Sequence, residues 1–380
     1  MQYEALPLLQ PAPGTLRSLG VFRLGNGSPG PRVYLQAGLH ADEWPGLLVL
    51  QHLLERLERI EKAGGVRGEL VIVPYANPVG MSQNLFGYVT GRFDMTGTGN
   101  FNRNFIDPYP AVRHMVGGGL GVDIENNRRL IRQALTAVIA DWRVGDEATA
   151  LKKTLLSLSM GADIVLDLHC DDRTAGHLYA VKAQAEQARL LAARLGFKYV
   201  FLEDLDGVVA FDGTHLQVWH RLQENFPDHP IGLPVFAATV EYRGQTEVED
   251  DLASEDADRL LGYLRQVGAL VDAEAGPVPL ALQEVVMSPL EAVDAVKAPV
   301  AGLLVFCRPL GALVRAGEVF AEIVLIDSPE PNRRLPIAAT ADGHLMGLSH
   351  RRLGRPGDQI AKIAGKEALA HRQPGKLLQL

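Results

Sequence analysis

The sequence predicts an α/β protein, with a mixed, largely parallel sheet sandwiched by helices and a C-terminal all-β sandwich or barrel. Two observations predict this fold class. Short apolar runs alternate with segments of helical periodicity between about residues 15 and 272. After residue 280 the helical pattern gives way to short β-like runs separated by glycine and proline. The length of 380 residues is sufficient for two domains.

The first elements form a strand–helix–strand unit. Residues 32–38 are a short apolar run typical of a buried strand, and residues 69–75 are a second one. Between them, residues 46–62 carry apolar side chains at helical spacing, and Gly64 and Gly65 end that helix. Two strands joined by a crossover helix pair in parallel, so this unit predicts the parallel part of the sheet.

The next segment, residues 77–123, is irregular and rich in glycine, asparagine and proline. A connection of this length is uncommon unless it has a function. Beyond it the alternating pattern resumes. The predicted helices are 125–142, 148–159, 185–195, 215–225 and 252–271, and the predicted strands are 163–169, 178–182, 197–202 and 234–242.

A linker is predicted between two domains. Residues 272–279 are rich in alanine, glycine and proline and have no periodicity. They separate residues 1–272, which contain the alternating strands and helices, from residues 280–380, which contain only β-like runs. We therefore expect the domain boundary within this segment.

The C-terminal part contains an internal repeat. Gly302 and Gly317 are 15 positions apart, and Gly343 and Gly357 are 14 positions apart. The pattern resembles biotinyl/lipoyl-like domains, but no lysine lies between Gly343 and Gly357, where a carrier lysine is expected. We therefore expect a structural or oligomerising module rather than a carrier, and a homo-oligomer is left open.

The composition restricts the function further. The formal net charge is −8 and no long basic run is present, so general binding to nucleic acid or to an anionic membrane is not expected. No apolar stretch is long enough to span a membrane, and no secretory signal is evident, so we expect a cytoplasmic protein. The two cysteines, Cys170 and Cys307, cannot form a thiolate zinc site. Any bound metal must therefore use histidine and carboxylate ligands.

Histidine and carboxylate residues stand together at two predicted strand ends. His40 and Glu43 follow the first strand at the start of a helix, where residues three apart share a face. Asp167 and His169 end another strand and share one of its faces, so the aspartate could orient the imidazole. Two histidines and a glutamate are a ligand set of hydrolytic zinc sites. Taken alone, a strand-end histidine is more often satisfied by the backbone.

Other polar residues suggest a reaction or a substrate. Glu241 ends an apolar strand, where it could act as a general base or form an ion pair with Arg243. In the irregular segment, Arg92, Asn102 and Arg103 offer donors suited to a carboxylate or an oxyanion. For the arginines, an exposed loop position without a function is the simpler alternative.

In chain order, the segment 38–43, the pair 102–103, the segment 167–169 and Glu241 resemble the succinylglutamate desuccinylase/aspartoacylase family. This family belongs with the zinc carboxypeptidase-like hydrolases. The resemblance spans nearly the whole chain, because members of the family also carry a C-terminal β domain. It implies a zinc carboxypeptidase-like fold and a zinc-dependent deacylase, which hydrolyses the amide bond of an N-acyl amino acid or a similar small amide.

The resemblance implies a catalytic role for four residues. His40, Glu43 and His169 would bind one Zn²⁺ per chain. Zinc would lower the pKa of a bound water, as it does in other zinc hydrolases. Glu241 would act as the general base that accepts the proton of this water, and would then protonate the departing amine.

The resemblance also implies which residues hold the substrate. Arg92 would polarise the scissile carbonyl, with Arg113 as a weaker candidate. Asn102 and Arg103 would hold the substrate carboxylate. The pair Tyr242–Arg243, which follows the general base directly, could contact the substrate as well.

Two alternatives are open at this point. A metallocarboxypeptidase acting on short peptides would use the same metal chemistry with a larger pocket. A non-catalytic binding module on a decayed hydrolase scaffold would have the same fold, although His40, Glu43, His169 and Glu241 are all intact. The sequence does not distinguish the acyl groups or the amines.

Overall fold

The computed structural model describes all residues except 26, 206–209, 272–283, 371 and 373–380. The first part contains, in chain order, β1 (Gln2–Pro7), β2 (Ser18–Leu24), β3 (Arg32–Ala37), α1 (Pro45–Lys62), β4 (Glu69–Val73), α2 (Pro78–Met81), β5 (Asn84–Leu85), β6 (Tyr88–Val89), β7 (Phe93–Asp94), β8 (Gly99–Asn100), α3 (Tyr109–Val116), α4 (Ile124–Asp141), α5 (Glu147–Ser159), β9 (Ile164–Asp171), β10 (His177–Val181), α6 (Ala185–Leu195), β11 (Tyr199–Glu203), α7 (Phe211–Asn225), β12 (Phe236–Gly244), α8 (Asp250–Gln266) and β13 (Val286–Pro289). The remaining strands are β14 (Val293–Lys297), β15 (Gly302–Phe306), β16 (Leu313–Val314), β17 (Val319–Val324), β18 (Arg334–Ala338), β19 (Gly343–Leu348), β20 (Leu353–Gly354) and β21 (Gln359–Ala364).

A nine-stranded sheet organises the first part of the chain. Its strand order is β1-β2-β4-β3-β9-β12-β10-β11-β13. The four strands β4, β3, β9 and β12 are mutually parallel, while β2 and β10 pair with this block in the antiparallel direction. The carboxyl ends of β3, β9 and β12 therefore meet at one edge of the sheet, where open α/β sheets hold their ligands.

Two apolar cores cover the two faces of this sheet. On one face the sheet packs against α1, α6 and α8. On the other it packs against α3, α4, α5 and α7, with Trp219 fully buried among them. Strands that are buried on both faces have nearly continuous apolar sequences, as in β3, β4 and β9.

The last strands form two four-stranded antiparallel sheets, β14-β21-β19-β16 and β18-β17-β15-β20. The sequence repeat corresponds to β15–β17 and β19–β21. Gly317 and Gly357 each precede the last strand of a repeat with a positive φ, 83° and 88°, which suits glycine. The short middle strand of each repeat belongs to the sheet that contains the other repeat: β16 pairs with β19, and β20 pairs with β15. We call residues 293–364 the C-terminal β region.

The predicted fold class is confirmed: a mixed, mostly parallel sheet lies between helices, and antiparallel sheets follow at the C-terminus. The sequence analysis did not find β2, nor β1, whose residues are almost all exposed and so carry no apolar pattern. It also missed α3 and the two short hairpins within residues 77–123. The predicted linker at 272–279 lies outside the described residues, and β13, just beyond it, pairs with β11 of the large sheet.

Within the described residues, every helix is too short or too polar to cross a membrane.

A buried histidine makes the stability of the fold depend on pH. His215 on α7 has Nδ1 2.8 Å from the carbonyl oxygen of Phe211 and Nε2 2.8 Å from Oγ of Ser159 on α5. Burial lowers the pKa of His215 to about 4. Below a pH of about 6.5, the unfolded chain therefore binds a proton that the folded chain does not. The contribution of His215 to the free energy of unfolding therefore falls as the pH falls from about 6.5 to about 4.

We predict that His215→Gln makes the free energy of unfolding less dependent on pH, by up to roughly 1.4 kcal/mol per pH unit in this window. Urea unfolding of the chelator-treated protein between pH 4.5 and 7 measures this slope. His220→Gln, at a position with a partly exposed side chain on the same helix, serves as the control. Equal slopes for the wild type and His215→Gln would contradict the prediction.

Candidate metal centre

The topology brings the predicted ligand residues together. β3, β9 and β12 are adjacent parallel strands, and His169 on β9 lies in register with Glu241 on β12. In-register residues of neighbouring strands place their side chains on the same face of the sheet. His40 and Glu43 lie in the turn between β3 and α1, at the same edge. Two predicted strand ends thus become a single site.

Three buried side chains could hold a metal ion at this edge. Nδ1 of His40 lies 3.0 Å from Oε1 of Glu43, and Nδ1 of His169 lies 2.7 Å from Oε2. One ligand atom from each residue lies within 4.8 Å of the others, and all three residues are at most 4% exposed. These are the nitrogen and oxygen ligands of a zinc site that leaves a further position open.

Hydrogen bonds at the far side of each imidazole fix its tautomer. Nε2 of His40 lies 2.8 Å from Oδ1 of Asn100, an atom that also accepts from the backbone N–H of Asn102 and must therefore be the amide oxygen. Nε2 of His169 lies 2.8 Å from Oδ2 of Asp167. Both Nε2 atoms must donate, so Nδ1 is in each case the nitrogen that faces Glu43 and could bind a metal ion.

The electrostatics of the cluster require a positive charge at its centre. Burial raises the pKa of Glu43, but His40 and His169 outweigh this effect and hold it well below its usual range. Burial lowers the pKa of His169, yet Asp167 and Glu43 raise it well above normal. Burial also lowers the pKa of His40. Protonated imidazoles supply this positive charge in the absence of a metal, and a divalent metal ion bound to both imidazoles and to Glu43 would replace their protons.

Glu241 stands beside this cluster with one free oxygen. Within the described part of the chain, no group makes a hydrogen bond to its buried Oε2 atom. Burial raises the pKa of Glu241 to about 8, and the nearby carboxylate of Glu43 adds to the rise. A carboxylate with this pKa can exchange protons near neutral pH. The alternative ion pair with Arg243 is not formed, because Arg243 contacts Asp256 on α8 instead.

A cavity of about 160 Å³ contains these groups. Arg92 and Arg103 both line it, as the sequence analysis expected. Nη1 of Arg92 lies 2.7 Å from Oε1 of Glu43, so this guanidinium borders the metal centre directly. A larger cavity of about 390 Å³ adjoins the first, and the two share Glu43 and Arg92.

Asn102 lines the same cavity, but its amide is already engaged. Oδ1 accepts a 2.7 Å hydrogen bond from the backbone N–H of Phe211, the first residue of α7. Nδ2 lies 3.4 Å from Nε2 of His169. Because Nε2 of His169 donates to Asp167, the contact with Nδ2 is not a hydrogen bond, and Asn102 is held through its oxygen by the start of α7.

Three candidate residues are placed away from the cavity. Tyr242 follows Glu241 on β12, so its side chain lies on the opposite face, fully buried in the core and packed against Phe197. Arg243 has a positive φ of 57° beside a β-bulge and forms its ion pair with Asp256. Arg113 lies on α3, where Nε donates to Asn225. The expectation that Tyr242 and Arg243 contact the substrate is not supported, and neither is Arg113.

The sequence analysis missed several polar residues of the site. Asn100 accepts a hydrogen bond from Nε2 of His40. It lies in the same irregular segment as Asn102, but the sequence analysis gave it no role. Glu203 and Asp212 line the cavity from β11 and the start of α7. Lys362 reaches the cavity from the C-terminal β region and pairs with Asp171. A single lysine in a β repeat, 191 positions from its partner, gives no signal in the sequence.

The comparison with family models agrees with the site. Residues 29–112 match the model described as the succinylglutamate desuccinylase/aspartoacylase catalytic domain. The resemblance to this family is confirmed. The matched segment contains His40 and Glu43, the two candidate ligands that follow β3, and the irregular segment up to α3. Because the names of this family denote hydrolases, the match indicates a hydrolase. A search of curated proteins finds no match to the chain.

Solved structures share the fold over almost the entire chain. A protein from Shewanella amazonensis assigned to this family is 25% identical, with a TM-score of 0.84, and the alignment covers 96% of this chain and 99% of that one. A protein from Shewanella frigidimarina assigned to the same family is 24% identical, with a TM-score of 0.85 and 96% of both chains covered. The product-bound ectoine utilization protein EutE from Ruegeria pomeroyi is 19% identical, with a TM-score of 0.66, 96% of this chain covered and 95% of that one. The C-terminal strands are thus part of the shared fold.

We predict that His40→Ala abolishes retention of one zinc ion per chain, because it removes one of the three proposed protein ligands.

Asp167→Asn should weaken zinc binding by roughly 10- to 100-fold, since it weakens the hydrogen bond that orients the imidazole of His169. Elemental analysis after gel filtration and competition with a chromophoric chelator measure the two effects. His220→Ala, far from the cluster in sequence and partly exposed, is the control. Stoichiometric zinc in His40→Ala would overturn the ligand assignment.

Proposed function

We propose that this chain is a zinc-dependent amidohydrolase that removes the acyl group from an N-acyl amino acid or a similar small amide. The observation that carries the proposal is the buried, unpartnered oxygen of Glu241 beside the His40, Glu43 and His169 cluster, in the described structure. A metal site alone could be structural. A free carboxylate with a raised pKa next to it supports a reaction that transfers protons.

Zinc bound by these residues would lower the pKa of a water molecule and act as a Lewis acid toward the amide carbonyl. Glu241 accepts the proton of the attacking water through its free oxygen. The same carboxyl group then donates a proton to the amine as the amide bond breaks. Water adds to the carbonyl carbon, the carbon–nitrogen bond breaks, and the products are a carboxylic acid and an amine.

Arg92 is the residue that we assign to the developing oxyanion. Its Nη1 atom contacts Glu43 at the edge of the metal cluster, and its side chain is about half exposed to the cavity. A guanidinium already oriented by a carboxylate does not need to reorganise as negative charge develops. The 2.7 Å distance between Nη1 and Oε1 of Glu43 supports this role over the alternative that Arg92 is an exposed loop residue without a function.

Arg103 is the residue that we assign to a substrate carboxylate. It lies near Glu203 and Asp212, and the negative charge of these residues, when they are ionised, offsets the positive charge of the guanidinium. Burial raises the pKa of Glu203 to about 8, and Asp212 contributes to the rise. The raised pKa reduces the negative charge of Glu203 near neutral pH, so that it opposes Arg103 less, and Arg103 can attract an anion although the chain as a whole carries a net charge of −8.

We predict that Glu241→Gln binds zinc normally but loses at least about a hundredfold in kcat, because an amide cannot accept the proton. Steady-state hydrolysis and zinc content, measured on the same preparation, test this. Glu186→Gln, an exposed carboxylate on α6, is the matched control. Near-normal turnover by zinc-loaded Glu241→Gln would show that another group is the base.

A panel of substrates tests the reaction class. We predict hydrolysis of N-acyl amino acids by the zinc-loaded protein, with activity lost on chelation and restored by added zinc.

Arg103→Met should raise KM for substrates with a carboxylate much more than for neutral amides of the same acyl group, because it removes the proposed partner of the substrate carboxylate. An equal effect on both kinds of amide would contradict the assignment of Arg103.

A metallocarboxypeptidase acting on short peptides is the second candidate. The adjoining cavity of about 390 Å³ favours it, because a substrate longer than an acyl amino acid could extend past Arg92 into this space. Dipeptides and tripeptides belong in the same panel. Faster cleavage of these peptides than of acyl amino acids would replace the first proposal by this one.

A further inference from the structure

The C-terminal β region contributes a charged side chain to the cavity wall. Lys362 on β21 lines the cavity together with Asp171, Tyr179 and Glu241. Its side chain is only 15% exposed, and its ammonium group forms an ion pair with Asp171. Burying an ammonium is costly unless it is well paired, so its location beside the reacting groups calls for an explanation.

The partner of Lys362 is directly connected to the metal centre. Asp171 is the last residue of β9, two positions after His169 and on the same face of the strand. The ion pair therefore holds the end of the strand that carries a ligand. Asp171, Tyr179 and Glu241 are the ionisable groups whose fields reach the ammonium most strongly.

Further contacts hold β21 and its neighbours in this position. The backbone N–H of Ala175 donates to Met346 at 3.1 Å, and the N–H of Leu348 donates to Arg173 at 2.9 Å. Thr174 forms a β-bridge with Gly347. These backbone hydrogen bonds attach residues 173–175 to β19, which is paired with β21. Lys362 thus lies on a sheet that is hydrogen-bonded to the segment directly after β9.

We propose that Lys362 is a positioning residue, held by Asp171, that places a fixed positive charge in the wall of the cavity that contains Glu241. This assigns to the C-terminal β region a part in completing the active site. The inference rests on the proposed function for its catalytic meaning. The alternative is that the ion pair only attaches the C-terminal β region to the rest of the chain.

The test compares Lys362→Met, Lys362→Arg and Lys362→Cys treated with bromoethylamine, which rebuilds a lysine-like side chain. We expect Lys362→Met to lose about tenfold to a hundredfold in kcat with little change in KM and with full zinc content. Lys362→Arg and aminoethylated Lys362→Cys should recover much of the loss. Lys366→Met, at an exposed position near β21, is the matched control, and aminoethylated wild type controls for the two native cysteines.

The outcomes separate the two explanations. Unchanged kcat in folded, zinc-loaded Lys362→Met, or a loss that restoration of the positive charge does not reverse, would overturn the positioning role. A second measurement does not depend on activity: in chelated protein, Asp171→Asn and Lys362→Met should lower the midpoint of thermal unfolding non-additively, because they break the same pair. Fully additive shifts would also overturn the proposal.

Failure of the proposed function gives a different result. In that case zinc-loaded wild type hydrolyses neither acyl amino acids nor peptides, while the unfolding experiment still reports whether Asp171 and Lys362 are coupled.

Discussion

The carboxylate of Glu43 is the group on which the rest of the site depends. It contacts Nδ1 of both histidines and Nη1 of Arg92, and it accepts a 3.1 Å hydrogen bond from the backbone N–H of Cys170. These partners come from the turn after β3, the irregular segment and β9. One buried anion thus fixes three separate parts of the chain, and its negative charge is tolerable only because every neighbour offers a donor or a cation.

Sequence reasoning found this cluster because the signals are local. A strand followed by His40 and Glu43, and another ending in His169, identify the sheet edge once the strands are taken as parallel. The partners that fix the tautomers are less accessible. Asp167 could be inferred from its spacing to His169, whereas the role of Asn100 depends on how an irregular segment folds over His40, which no periodicity reports.

The placement of the residues after Glu241 also has a physical cause. Adjacent positions in a strand point to opposite faces, so Tyr242 enters the core, and the bulge after Glu241 turns Arg243 toward α8. Proximity in sequence was a poor guide there. We propose that the chain divides into residues 1–272 and 280–380. Two contacts cross this division: β13 pairs with β11 at the edge of the large sheet, and residues 171–175 are joined to the C-terminal β region.

The position of β21 near the end of the chain has a consequence for biosynthesis. All three proposed ligand residues have left the ribosome once residue 169 has emerged, and Glu241 follows about 70 positions later. Lys362 is made after another 121 positions, and its strand lies between β14 and β19, which are themselves late. A nascent chain therefore presents its metal-binding residues long before its cavity wall is complete, so that metal acquisition can precede the assembly of the finished site.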